Sequence, residues 1–467
     1  MSLIETFLAN LPEVKGPLEK RLAFKEKLKW TLIVLVSFFV LSVIPLFGLG
    51  KNSLAQFQQL SIILGAQFGS IMSLGIGPIV TASIVLQLLN GSGLMKFDTH
   101  TKEGRLKFQG FQKLLSIFFI IFEGSIYVFM GGLAPADGLA PGTHLLMQFI
   151  LIGQLILGGL MVLYMDEIMQ KWGFGSGISL FIAANVSMEV FIRAFSPLTT
   201  TGTWAFGSGQ SPVGAIWVFF LSLSGGDPTG AILALSTMLA TIAVFFMSVY
   251  FQAIKIEIPL SFGRVRGYGI RWPLNFLYTS NIPVILTAAL MANIQLIARF
   301  FENWGHPILG TFSGNMPASG LVSWIYSPDI LRTILTGAFT PSSLLHAFVY
   351  LIFMVIGSII FALFWMQTAG MDAESQAKNI MASGLQIPGF RRDPRVLESI
   401  LKRYILPLTI MGAITIGVVA SAADLSGALG RGTGILLTVM IVYRMYEDIA
   451  KQHMMDMYPA LRKMIAK

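Results

Sequence analysis

GIGPIVTASIVLQLL, residues 75–89, reads as a membrane helix with a broken start. Proline is tolerated in the first turn of a helix, where its missing N–H has no intrahelical partner to lose. The glycines at 75 and 77 let the backbone bend sharply into that turn. Upstream, residues 53–70 are too short and too rich in glutamine to be a span of their own. They read as a re-entrant or half-inserted segment, a form tolerated at membrane depth only where protein or water surrounds it. A discontinuous helix of this kind lines a cavity or binding site in many membrane proteins. The plainer reading is a Gly/Pro kink in a packed bundle.

Composition agrees with a bilayer setting. The 467 residues are 54% hydrophobic and 12% charged, with a mean hydropathy of +0.72. A soluble domain carries about 25% charged residues. There is no cysteine, so no disulfide, thiolate metal site or cysteine nucleophile is possible. Met1–Lys29 is mixed in charge and does not resemble a signal peptide. The first long apolar run, from Trp30, therefore reads as a retained span.

Apolar blocks long enough to cross a bilayer, about 20 residues as a helix, number ten. They cover 30–48, 71–90, 111–133, 144–165, 175–195, 229–252, 275–297, 344–366, 404–422 and 433–450. With the N-terminus inside, 27 of the 32 basic residues fall in inner segments, leaving Lys51, Arg193, Arg299, Arg332 and Arg431 outside. The positive-inside rule then places both termini in the cytoplasm. Ten spans divide as five plus five, and an odd number per half forces opposite topology, the arithmetic of an inverted repeat. The fold class expected is an all-α membrane protein of ten transmembrane helices in two inverted five-helix halves.

Ile76 and Val80 are four residues apart and share a helix face. Phe174 and Ile178, in GFGSGI, repeat that geometry, although spacing alone does not separate a pore lining from core packing. The same string mimics a nucleotide-binding glycine loop. No strand precedes it and a span follows, so that reading is rejected. Glu123 sits in an apolar span with no basic residue in its own helix, where a charge is costly and invites a functional hypothesis. Thr81 and Asn293 are polar partners available in other spans; a structural contact and a functional switch fit equally at this point. Asp166 and Glu167, at an inner span end, are expected to be solvated.

Arg264, Arg266 and Arg271 lie in one inner loop, and Arg391, Arg392, Arg395, Lys402 and Arg403 crowd another. Such arginines bind phosphate backbones or acidic partners, or merely fix topology. The five histidines have no ligand-like spacing and no Ser/His/Asp group converges, so neither an enzyme, a cofactor nor a metal site is expected.

At these residues the chain resembles the SecY family, the central subunit of the Sec translocon. The strings that carry the resemblance are GIGPIVTASIVLQLL (75–89), EIPLSFGRVRG (257–267), SNIPVILTAALMANIQL (280–296), PGFRR (388–392) and GTGILLTVMIVYRMYE (432–447), the last similar to archaeal members. The resemblance covers the chain in order. It implies an hourglass channel with a central apolar pore ring, carried over onto Ile76, Val80, Phe174, Ile178, Ile285 and Leu437. Phe174 departs from the aliphatic residue usual there. It also implies a plug at about 53–70, a lateral gate between the second/third and seventh/eighth spans, and a gate polar cluster of Thr81, Glu123 and Asn293, which favours the switch reading. Arg264, Arg266, Arg391 and Arg392 match loop positions that engage a ribosome or a motor ATPase. SecE-type and small beta/SecG-type membrane subunits, signal sequences and nascent polypeptides are the other implied partners, with the lipid bilayer around them.

The domain organisation expected is a cytoplasmic amphipathic segment 1–29, an N-terminal half 30–195 and an external connection 196–228. A C-terminal half 229–450 follows, with cytoplasmic loops 253–274 and 367–403, and then a tail 451–467. The function expected is a passive protein-conducting channel in the cell membrane that passes unfolded chains and releases membrane segments sideways. The rival is a secondary transporter, since inverted repeats and broken helices serve both; a transporter calls for polar midplane residues, and this constriction is apolar. A membrane insertase without an aqueous path is a third, weaker reading.

Overall fold

The computed structural model describes residues 12–18, 22–52, 67–91, 94–95, 97, 101–136, 138, 140–199, 203–207, 209–262, 269–313, 316–382, 385–386, 394–430 and 432–457. The plug positions 53–66, Arg264, Arg266, Arg391, Arg392 and Arg431 lie outside the described residues.

Long helices dominate. They are α1 (Phe24–Val43), α2 (Gly77–Gly91), α3 (Lys102–Phe129), α4 (Pro141–Trp172), α5 (Gly177–Phe195), α6 (Pro228–Ala253), α7 (Ile282–Asn303), α8 (Pro341–Thr368), α9 (Pro394–Leu425) and α10 (Gly432–Met457). Among the described residues, seven of them (α3 to α9) are long and apolar enough to cross a bilayer. Several begin with proline in the first turn (α4, α6, α7 and α8), where the lost N–H is one that no helix uses. Asp227 and Thr101 cap α6 and α3 by accepting the N–H of Gly230 and Gly104, each at 3.1 Å.

The predicted second span, 71–90, is shorter than expected. Helix α2 has 15 residues, about 22 Å at 1.5 Å per residue, against about 30 Å of hydrocarbon. Residues 67–76 instead form turns at depth, with Gly75 at φ 54°. Their backbone is satisfied locally and by the residues that follow α1. Ile71 N–H donates to Ile44 O (3.0 Å), Leu46 N–H to Gly69 O (2.9 Å), and Gly69 N–H to Ser73 Oγ (2.9 Å). Gly158 of α4 leaves room for this turn, because a Cβ there would collide with Ile71 O.

The first five helices meet the second five at two edges. On one, α2 packs against α7 and α8; on the other, α10 packs against α5 and α1. One large apolar cluster runs through both sets. Strand β1 (Leu49–Asn52) pairs antiparallel with β2 (Leu133–Pro135) after α1 and α3. The loop read as an irregular basic segment after α6 is a β-hairpin. Strand β3 (Lys255–Phe262) pairs with β4 (Gly269–Asn275) from Lys255↔Asn275 to Ser261↔Gly269. A small hairpin, β5 (Phe312–Ser313) with β6 (Met316–Pro317), lies between α7 and α8. Strand β7 (Leu385–Gln386) then adds to the far end of β3.

Candidate functional site

The polar cluster is assembled. Thr81 lies in the first turns of α2, Glu123 in α3 and Asn293 midway along α7. The Thr81 hydroxyl lies 2.9 Å from Glu123 Oε1 and 2.9 Å from its own helix carbonyl, Gly77 O. Asn293 Nδ2 donates to Thr81 Oγ1 at 2.8 Å. Glu123 and Asn293 are thus joined through Thr81. A hydroxyl has one proton and two lone pairs, so Thr81 is a relay that donates to one side and accepts from the other. The cluster ties three helices at the edge where the two sets of five meet. Above it, Tyr127 of α3 lies 5.8 Å from Phe300 of α7, ring to ring. Hydrogen bonds between membrane helices contribute only about 0.6 kcal/mol on average. Such a seam is specific in register and weak in energy.

The apolar ring candidates lie at helix starts, most of them within the large apolar cluster. Ile76, Val80, Ile285 and Leu437 are buried in the large apolar cluster, and Ile178 packs against it half-buried. They sit where helices start: Val80 N–H bonds Ile76 O at 3.0 Å, Ile285 N–H bonds Asn281 O at 3.1 Å, and Ile178 is the second residue of α5. Phe174 stands apart from that cluster. Its ring lies 5.5 Å from Phe24 and 5.9 Å beneath Lys27 Nζ, while its N–H donates to Thr31 Oγ1 at 3.2 Å. Those contacts are with the start of α1.

The expectation that Asp166 and Glu167 are solvated is corrected. Asp166 is 5% exposed and serves the start of α5. Its Oδ1 accepts Ile178 N–H at 3.1 Å and faces Ser176 Oγ at 3.5 Å, while Oδ2 accepts Gln170 Nε2 at 2.7 Å. Gly177 makes the approach possible, since a Cβ there would meet Asp166 Cα at 2.8 Å. Glu167 pairs with Lys113 of α3 and accepts Val14 N–H at 3.1 Å. A residue at a helix end is solvated only if the chain does not fold back over it; here the glycine run returns the next helix against it.

A matching turn went unread in the sequence. Asp424, near the end of α9, accepts Thr433 N–H at 2.7 Å, the Thr433 hydroxyl, and Tyr350 OH from α8 at 2.6 Å. Gly432 fits there because a Cβ would collide with the backbone of Ala423. The signal was available: Gly175-Ser176-Gly177-Ile178 and Gly432-Thr433-Gly434-Ile435 share one pattern, each following an aspartate on the preceding helix. Likewise Pro78-Ile79-Val80 and Pro283-Val284-Ile285 open α2 and α7.

On the basic side, the β3–β4 hairpin is held firmly. Ile258 and Leu274 pack into a second apolar cluster with Leu397, Leu401 and Ile405 of α9, and Lys255 pairs with Glu447 of α10 at 3.1 Å. The β3–β7 pairing, Ser261↔Gln386 and Phe262↔Leu385, ties β7 to the far end of β3. Among the described residues, no group of three or more His, Cys, Asp or Glu side chains could hold a metal ion.

Comparison with known proteins gives one answer. A family profile described as SecY matches residues 70–446, and one described as the plug domain of Sec61p matches 37–69. The protein translocase subunit SecY of Methanothermobacter thermautotrophicus is 43% identical over 467 residues, 99% of this chain and 98% of that one. The SecY subunit of Pyrococcus furiosus is 44% identical over 464 residues, 97% of this chain and 96% of that one. Among solved structures, a protein-conducting channel superposes with a TM-score of 0.83 at 41% identity, over 98% of this chain and 99% of that one. The Sec61 channel of the canine ribosome–channel complex does so with a TM-score of 0.80 at 41% identity and the same coverage.

Proposed function

The chain belongs to the SecY family of protein-conducting channels, and we propose that it passes unfolded secretory polypeptides through the apolar constriction and releases membrane segments sideways between α2/α3 and α7/α8. The observation that carries the lateral release is the Glu123–Thr81–Asn293 relay across that edge. It is polar enough to define the closed register, and weak enough for an apolar segment to part.

In this reading Ile76, Val80, Ile178, Ile285 and Leu437 form the constriction. Soft aliphatic side chains resist water and ions by dewetting and still yield to a peptide. Phe174 belongs to the same proposed ring, with its side chain against Phe24 and beneath Lys27 at the start of α1. The ten helices form two inverted halves with both termini cytoplasmic, a proposal supported by the matched starts of α2 with α7 and α5 with α10. The chain is a multi-pass membrane protein, placed in this reading in the cell membrane. No chemistry of its own drives transport, so energy comes from a partner on the cytoplasmic side. The ribosome-bound state of the Sec61 neighbour supports a ribosome at the loops carrying Arg264, Arg266, Arg391 and Arg392. SecE-type and small beta/SecG-type subunits complete the assembly. A secondary transporter finds no support in these relatives.

Single cysteines at Ile178 and Ile285, with Phe246 of α6 as a lipid-facing control, test the reading against a secretory chain carrying its own cysteine and stalled midway. The chain's lack of native cysteine removes background. Disulfides confined to positions 178 and 285 are expected. None at either, with the chain stalled in an assembled complex, withdraws the constriction.

A further inference from the structure

Between Arg193 and Asp227 the chain carries no charged residue. The sequence reading assigned most of this stretch to an external connection, yet it contains the ten-residue helix Ala215–Ser224, AIWVFFLSLS. That helix carries no charge and is apolar except for Ser222 and Ser224, and only Ala215 is buried by the protein. Helices apolar all round occur inside proteins or in lipid; this one is not inside the protein. At about 15 Å it is also too short to cross about 30 Å of hydrocarbon.

Its placement is fixed at both ends. Gly214 N–H donates to Ser196 O at 2.9 Å and Trp217 Nε1 donates to Phe195 O at 2.8 Å, so the helix begins level with the outer end of α5. It then runs antiparallel to α6 across the Gly225-Gly226-Asp227 turn, where a Cβ on Gly230 would meet Ser222 Oγ at 2.8 Å. Trp204, Phe206 and Trp217 form a ring chain at 5.8 and 5.4 Å beside its start. Phe220 and Leu223 are 58% and 62% exposed, and the apolar surface continues onto Phe195 of α5 and Ile232 and Leu235 of α6.

From these observations we infer that 209–226 is an interfacial foot, with helix Ala215–Ser224 seated in the outer leaflet at the boundary between headgroups and acyl chains. Three features select lipid over a soluble partner. The surface is continuous with the lipid-facing sides of two spans, it carries no charge to complement, and its exposed Trp204 has the apolar body and polar N–H that favour the membrane interface. The consequence is an anchor that fixes the height of α5 and α6 in the bilayer.

The test places nitroxides on single cysteines at Phe220 and Leu223 in the full chain, reconstituted in vesicles of phosphatidylcholine with a minority of phosphatidylglycerol. Phe246 (65% exposed, in the last third of α6) and Glu374 in the inner loop calibrate lipid and water. Collision with oxygen, which concentrates in lipid, is compared with collision with a water-soluble nickel chelate. Oxygen-favoured values at 220 and 223, between the two calibrants, are expected. Values equal to those at Glu374 overturn the inference and put the helix in water. Protection from both reagents overturns it as well, because protein then covers the face. Independently of labelling, Trp217→Phe removes one emission component; in vesicles with bromine near the headgroups that component should be lost more than with bromine at the chain ends. No quenching at either depth sinks the proposal.

Discussion

Two turns of this molecule perform the same task with different partners. At the α4–α5 turn, Asp166 is served by Gln170, Ser176 and Ile178, all within those two helices and their linker. At the α9–α10 turn, Asp424 is served by Thr433 and also by Tyr350 from α8. The first clamp is closed on itself. The second recruits a helix from the edge where the two sets of five meet, so α8 is fastened to α9 and α10. The lesson is mechanical: in the gate proposed here, an edge whose own bonds are weak opens by moving units that other bonds hold rigid. Here α8, α9 and α10 form one such unit, and α4 with α5 another.

The largest expected effect breaks the second clamp. Asp424→Ala strands the Tyr350 hydroxyl, the Thr433 hydroxyl and the Thr433 N–H, and should lower stability by about 3 kcal/mol or more, read by thermal unfolding of the purified chain. Asp166→Ala strands fewer buried donors and should lose about 2 kcal/mol. If the two losses are equal, the asymmetry between the clamps is wrong.

A milder change separates fastening from folding. Tyr350→Phe keeps the ring and removes one hydrogen bond, about 1 kcal/mol. Spin-label distances between α8 and α9 should broaden, while those between α4 and α5 stay narrow. Smaller still is the seam itself: Asn293→Ala should lose about 0.6 kcal/mol and raise lateral release of weakly apolar segments in a membrane-insertion assay. An effect on stability as large as that of Asp424→Ala would mean the seam is a structural bond and no gate.

The smallest effect concerns the N-terminal segment that braces the first clamp. Lys171 bonds Glu13, Trp172 Nε1 donates to Lys15 O at 2.9 Å, and Glu167 accepts from Val14. The hydrogen bond from Lys171 holds the Glu13 carboxyl below its ordinary value of 4.5, opposed by burial and aided by the charges of Lys171 and Lys113. The sign follows from a depressed carboxylate. The contact is fully present above 4.5 and is lost as pH falls through the lower, folded value. Trp172 emission should therefore stay constant from neutral pH down to 4.5 and change only below it. A change near neutrality would show that another group holds the segment.

Much of the site was legible because it is written in local chemistry. Pro78 and Gly75 announced the broken start of α2, and an acidic residue amid Phe118–Phe129 announced Glu123. The β3–β4 hairpin was missed even though Ile256, Ile258 and Leu260 alternate with polar or small neighbours, because arginines and glycines in the same stretch read as loop. Phe174 was placed by motif position, which cannot report that α1 begins with a phenylalanine and a lysine close enough to hold it.

By itself the sequence determined the membrane setting and the order of the long apolar helices, and it carries the charge bias from which an orientation is proposed. Each of these depends on residues near one another in the chain, and solvation acts on them directly. Only the tertiary structure decided which polar groups are paired. Asn293 reaches Thr81 across 212 positions and Tyr350 reaches Asp424 across 74. Spacing fixes the face of a helix on which a side chain lies, but the neighbour that face meets is set by how the helices fill one volume.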